Sequence, residues 1–132
     1  MGTVVDSIIG FLQGEALRTP PPAALATAAN GFTDCVAVML AGVREPVTVN
    51  LLRHVRATGG HPRSRLLLGS GRATVAQAAL VGTGAAHALD FDDYAYSNHV
   101  SALMVPAILA EAERTGADGA AMLRAYLAGF ET

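Results

Sequence analysis

Between two histidines the chain reads His87-Ala88-Leu89-Asp90-Phe91-Asp92-Asp93-Tyr94-Ala95-Tyr96-Ser97-Asn98-His99, which puts three carboxylates within four positions. Carboxylates this close repel when ionised, so folding them together costs free energy unless cations or hydrogen bonds compensate. Such clusters persist mostly where a proton, a metal or a substrate uses them. The chemistry this pattern favours is proton transfer. His99 follows a short loop of aromatic and small polar residues, so it can fold back over Asp90, and a carboxylate facing an imidazole moves protons near neutral pH.

Other uses of the same residues are open. The run can be a solvated acidic turn, and His99 a loop histidine that caps the next helix. His87, Asp90 and His99 have the residue types of a two-histidine, one-carboxylate iron site. Against that, His87 sits in an apolar segment where a hydrogen-bonded core histidine is expected. Magnesium-binding Asp-Asp patterns carry a spaced third acid, and none follows Asp92-Asp93 here. These residue types leave a metal site as the minor reading. If the cluster begins where the preceding helix ends, Asp90 and Asp93 share a face and Asp92 points elsewhere. Carboxylates at a helix C-terminus meet the unfavourable end of its dipole, which argues for a functional reason to keep them there.

The elements that must position these residues read as helices. Val4 to Leu12 has apolar residues at helical spacing. Thr19-Pro20-Pro21-Pro22 stops that segment and opens the next, Ala23 to Leu40, in which Gly31 marks a kink or a close helix contact. Pro46 opens a helix that ends at Gly59-Gly60. His61 to Ser70 is irregular, with Leu66 to Leu68 as a short strand or buried linker. Thr74 to Leu89 is apolar on most sides and rich in Ala and Gly, the pattern of a central, closely packed helix. Asp90 to Asn98 is a loop. Ser101 caps a helix reaching Arg114 with Pro106 near its first turn, and Asp118 caps Gly119 to Phe130. About six helices and no periodic strand signal make the expected fold class all-α, with 1–132 as a single helical domain.

Composition narrows the function. The chain has 132 residues, is 52% hydrophobic and only 5% aromatic, so its apolar content is Ala, Leu and Val packed in one modest core or facing a partner. Nine basic and eleven acidic residues give a net charge of −2, which argues against nucleic acid. All the basic residues are Arg; any catalytic lysine must come from another segment. The single Cys35 lies in an apolar pattern and reads as a small buried hydrophobe. With no secretory signal and only a poor lipid-spanning candidate in Tyr94 to Ala110, no membrane is expected and the expected compartment is the cytoplasm. Gly69-Ser70-Gly71 lacks the Gly-Lys-Ser/Thr ending of a phosphate loop. Gly82-Thr83-Gly84 reads as helix packing. Arg63, Arg65 and Arg72 read as a solvated face, with attraction of a polycarboxylate as the alternative.

Ala78-Ala79-Leu80, then Ala85-Ala86-His87-Ala88-Leu89-Asp90-Phe91-Asp92-Asp93, then His99 and Ser101 ahead of an apolar, Pro-containing helix, resemble the N-terminal part of the MmgE/PrpD family. Looser agreement runs from Thr33 to Gly42 and through to Tyr126-Leu127-Ala128-Gly129-Phe130-Glu131. The family includes 2-methylcitrate dehydratase, cis-aconitate decarboxylase and an iminodisuccinate epimerase. The resemblance implies a helical domain facing a smaller α/β lid absent from this chain, a small di- or tricarboxylate substrate, and proton abstraction with loss of water or carbon dioxide, or epimerisation. It implies Asp90 and His99 as catalytic residues, with Tyr94, Asp93 and Ser101 as substrate contacts. It also implies that a lysine and a second histidine come from beyond the matched region, and that the dehydratase and decarboxylase branches use no metal or organic cofactor. The expected assembly is a homo-oligomer or association with a chain carrying the C-terminal portion; the alternative is a non-catalytic helical module. Departures from the family pattern are His99-Val100-Ser101 for the usual His-Pro-Ser, a loop one residue shorter, Gly82-Thr83-Gly84 in place of Asn-Gly-Thr, and Tyr94 where threonine is common.

Overall fold

A computed structural model of the chain describes residues 2–67, 71–95 and 98–132. Leu68, Gly69 and Ser70, and with them part of the apolar run and the glycine motif noted above, lie outside the described residues, as do Tyr96 and Ser97. The fold is all-α, as the sequence pattern predicts. The described residues form seven α-helices: α1 (Val4–Gln13), α2 (Glu15–Arg18), α3 (Pro22–Ala41), α4 (Pro46–Thr58), α5 (Val75–His87), α6 (Val100–Thr115) and α7 (Gly119–Phe130). A 3₁₀ turn, Gly42–Arg44, links α3 to α4. The irregular stretch holds a minimal antiparallel hairpin, β1 (Ser64–Arg65) with β2 (Arg72–Ala73), in which Ser64 faces Ala73 and Arg65 faces Arg72. Neither the hairpin nor α2 is anticipated by periodicity, because segments this short carry none.

Helix starts follow local chemistry. Thr3 and Asp6 form a reciprocal capping box at α1, and Thr74 and Gln77 form another at α5. Pro22 and Pro46 occupy first helical positions, where the missing N–H costs nothing. Asp118 caps α7 by accepting from the Ala121 amide at 2.8 Å. Gly116, with φ +71°, ends α6 in the left-handed conformation. One expected cap is corrected. Helix α6 begins at Val100 with His99 at its N-cap, so Ser101 lies inside the first turn; Pro106 falls in the helix interior, where it forfeits a bond to the Ala102 carbonyl.

Helix α5 is central and packs against α3, α4 and α6, while α7 closes over α3 and α6. One core joins Ala28, Cys35 and Met39 of α3 to Ala86, Ala102, Val105 and Tyr126. The other joins Val55 to Leu66, Ala73, Ala78, Val81 and Ala110. The small residues of α5 set its approach to α6: a Cβ at Gly82 would sit 2.6 Å from Cβ of Pro106. Pro22–Arg44 has the length and hydropathy of a membrane-crossing helix. Core helices share those properties, and this one packs through Ala28, Cys35, Val38 and Met39.

The hairpin is fastened to α6 by Glu113. Its Oε2 accepts from the Arg65 amide at 2.6 Å, and its Oε1 accepts from Arg65 Nε and Arg72 Nη1, each at 2.9 Å. The three arginines are exposed, as read, and two of them, Arg65 and Arg72, also clamp the hairpin to α6 at the surface. The Arg65 backbone bond, with the two guanidinium groups, holds the Glu113 carboxyl below its ordinary range. A depressed carboxyl contributes stability above the unfolded-state pKa and loses it as pH falls through the folded value. Wild type should therefore lose stability on acidification below the ordinary glutamate range. Glu113→Gln should show a shallower loss there in chemical denaturation followed by circular dichroism.

Candidate active site

Helix α5 delivers His87 in its last turn, and the chain then turns sharply at Asp90. Asp90 has φ +55° and is the non-glycine residue with positive φ among the described residues. Aspartate tolerates this conformation better than most side chains. The turn sends Asp92 inward, with no part of its side chain exposed. Asp93 follows and accepts from the Ser101 amide at 3.2 Å. Ala95 and Asn98 bridge the returning strand of the loop through two 2.9 Å backbone bonds. Asn98 Oδ1 accepts from the His99 amide at 2.9 Å, which fixes His99 at the head of α6.

Asp92 is the centre of the cluster. His87 Nδ1 lies 3.2 Å from Asp92 Oδ1, and His99 Nδ1 lies 3.0 Å from Asp92 Oδ2. The His99 contact is close enough for an ion pair but is not aligned as a hydrogen bond, so buried His99 Nδ1 has no such partner among the described residues. The two rings meet edge to face, 4.6 Å between centroids. His99 Nε2 is 3.8 Å from Asp90 Oδ1, and the Asp90 side chain is 78% exposed. Tyr94, also exposed, sets its ring against His99 with 5.3 Å between centroids.

The structure thus brings together Asp90, His99 and Tyr94 of the sequence-derived set. Two expectations are corrected. Asp92 does not point away from the cluster but is its buried hub. His87 is no core histidine; its side chain is 53% exposed and turned to Asp92. For Asp93 the helix dipole is favourable and not, as expected, unfavourable, because the loop that leaves the C-terminus of α5 delivers it to the N-terminus of α6. There a carboxylate is favoured and fills one of the helix's unpaired N–H positions.

Ser101 is turned into the core rather than toward the loop surface. Its Oγ and the Tyr126 hydroxyl are 2.5 Å apart, and its carbonyl accepts from Cys35 Sγ at 3.3 Å. Tyr126 reaches this position across Gly31, where a Cβ would stand 2.7 Å from the hydroxyl; the glycine marks a close contact. Tyr126 falls within the family resemblance but is given no role by the sequence, although a tyrosine on an apolar helix needs a partner for its hydroxyl. Recesses of about 520 Å³ beside Met39, Leu67, Pro106 and Glu113, and of about 570 Å³ beside Asn98, Leu103 and Phe130, lie outside the cluster. Donor chemistry, not cavity size, identifies the site.

The sequence model of the MmgE/PrpD N-terminal domain matches residues 6–132. The chain belongs to the MmgE/PrpD family. No curated protein and no solved structure matches it.

Below the site, burial pushes the Cys35 thiol up to about 12, with Asp93, Asp92 and Asp34 adding to the effect. Burial likewise raises the Tyr126 hydroxyl. Between the ordinary thiol range and about pH 12 the unfolded chain releases a proton the folded chain keeps, so stability falls as pH rises there. Cys35→Ala should flatten that alkaline decline. In the native wild type, alkylation of Cys35 at mildly alkaline pH should be at least roughly 10-fold slower than in urea, read by mass spectrometry.

Proposed function

We propose that this domain contributes an aspartate–histidine pair, Asp90 and His99, to a lyase or isomerase acting on small di- or tricarboxylates. The reaction class is proton abstraction beside a carboxylate, with loss of water or carbon dioxide, or with epimerisation. The observation that carries the reading is the 3.8 Å separation of Asp90 Oδ1 and His99 Nε2 on an open surface beside Tyr94. That spacing is too long for a hydrogen bond between them and leaves both groups available to a substrate proton. Family membership supports the substrate class. Asp93 and Tyr94 border the pair and are the residues best placed to shape substrate contact, with Ser101 supporting Asp93 from beneath.

A carbanion formed next to a carboxylate needs positive charge nearby. The chain has no lysine, and the cluster contains no arginine, so that charge is supplied by another polypeptide segment. In this proposal the assembled enzyme is a homo-oligomer or a complex with a lysine-bearing C-terminal portion, and it acts in the cytoplasm without a cofactor.

A second reading has its own observation. His87, Asp90, Asp92 and His99 each offer a metal-ligand atom, and the four atoms lie within 4.8 Å of one another. The metal-free reading is favoured because both Asp92 oxygens already face imidazole nitrogens. In the enzyme assembled with the segment that completes the site, Asp90→Asn and His99→Ala should each lower kcat by roughly 100-fold or more. Dialysis against a chelator should leave turnover unchanged. Turnover retained by both variants would remove the assignment; turnover lost to the chelator and restored by a divalent cation would favour the metal reading.

A further inference from the structure

We propose that Asp92 is the positioning residue of this site, selecting in the neutral rings of His87 and His99 the tautomer with the proton on Nδ1, so that each Nε2 is the nitrogen free to accept a proton. The carboxylate itself is fully enclosed and out of a substrate's reach; it acts through the two rings. Its oxygens divide between them: Oδ1 lies 3.2 Å and Oδ2 3.3 Å from His87 Nδ1, while Oδ2 lies 3.0 Å from His99 Nδ1.

The buried His99 Nδ1 lacks an aligned partner among the described residues, and the nearest acceptor is Asp92. Aligning that N–H with the oxygen calls for a rotation of the His99 ring. An enclosed anion and an enclosed N–H each cost free energy when unpaired, so both sides favour the alignment. The rings pack at 4.6 Å and 62° between planes, which couples the orientation of one to the other. The consequence falls on the nitrogen nearest Asp90, since His99 Nε2 is the atom 3.8 Å from Asp90 Oδ1. A carboxylate that accepts from one imidazole nitrogen raises the basicity of the other and orients it, as carboxylates behind working histidines do elsewhere.

The effect on turnover rests on the function proposed above; the proton positions do not. The test is long-range ¹H–¹⁵N correlation spectroscopy of the full chain labelled with ¹⁵N-histidine, recorded at mildly alkaline pH. Wild type should show Nδ1-protonated forms for His87 and His99. In Asp92→Asn at least one ring, His99 first, should shift toward the Nε2-protonated form. Asp93→Asn, which removes a neighbouring charge without touching either ring, should leave both unchanged.

Nε2-protonated rings in wild type would overturn the proposal, as would unchanged rings in folded Asp92→Asn. If that variant does not fold by circular dichroism, the wild-type spectrum alone decides. In the assembled enzyme Asp92→Asn should lower kcat by roughly 10-fold or more with a smaller change in KM. Expected proton positions without loss of turnover in Asp90→Asn and His99→Ala would retire the enzymatic reading and leave the role of Asp92 standing. Lost turnover in those two variants, with unexpected proton positions in wild type, would do the reverse.

Discussion

Enclosing the Asp92 carboxylate between α5 and α6 is the constraint around which the rest is arranged. A buried anion is tolerated only when donors or cations surround it, and two imidazoles provide that compensation. Each must arrive from a fixed place. His87 comes from the last turn of α5, and His99 is held at the head of α6 by the Asn98 side chain. The helices must then approach closely enough for both rings to reach one carboxylate. The Gly82–Pro106 contact, with alanines on neighbouring turns, permits that approach. A packing feature of the core and a chemical feature of the surface are thus linked through helix spacing.

Behind the loop runs a chain of polar contacts through three helices. Asp93 binds the Ser101 amide, Ser101 pairs with Tyr126, and Cys35 donates to the Ser101 carbonyl. These tie the acidic loop to α3, α6 and α7 at one point, so the loop is anchored from below while its outer residues stay open. Phe91 and Tyr94, at 72% and 68% exposure, are the large exposed side chains of the loop among the described residues. Helix α1 also leaves Val4, Val5, Ile9 and Leu12 exposed, which accords with a chain whose apolar content exceeds what one small core absorbs.

Much of the architecture was legible because helix starts are written in local chemistry. Thr3, Pro22, Pro46, Thr74 and Asp118 each mark a boundary that side-chain hydrogen bonding or proline geometry explains. The acidic cluster and both histidines were legible as residue types. Their roles within the cluster were not. Deciding which of three adjacent aspartates turns inward depends on the backbone at Asp90, and a left-handed aspartate leaves no periodic trace in sequence. The dipole reasoning failed for a related cause, since it considered the helix before the loop and not the helix the loop returns to. The Glu113 clamp was hidden as well, because it joins residues 48 and 41 positions apart.

The left-handed backbone of Asp90 narrows what could ever occupy that position. Glycine would adopt the turn with ease but has no acid to offer. Glutamate would keep the acid yet strain the backbone, and asparagine would suit the bend while surrendering the charge. If Asp90 acts as proposed, two independent requirements, one of main-chain shape and one of side-chain chemistry, intersect on a single amino acid.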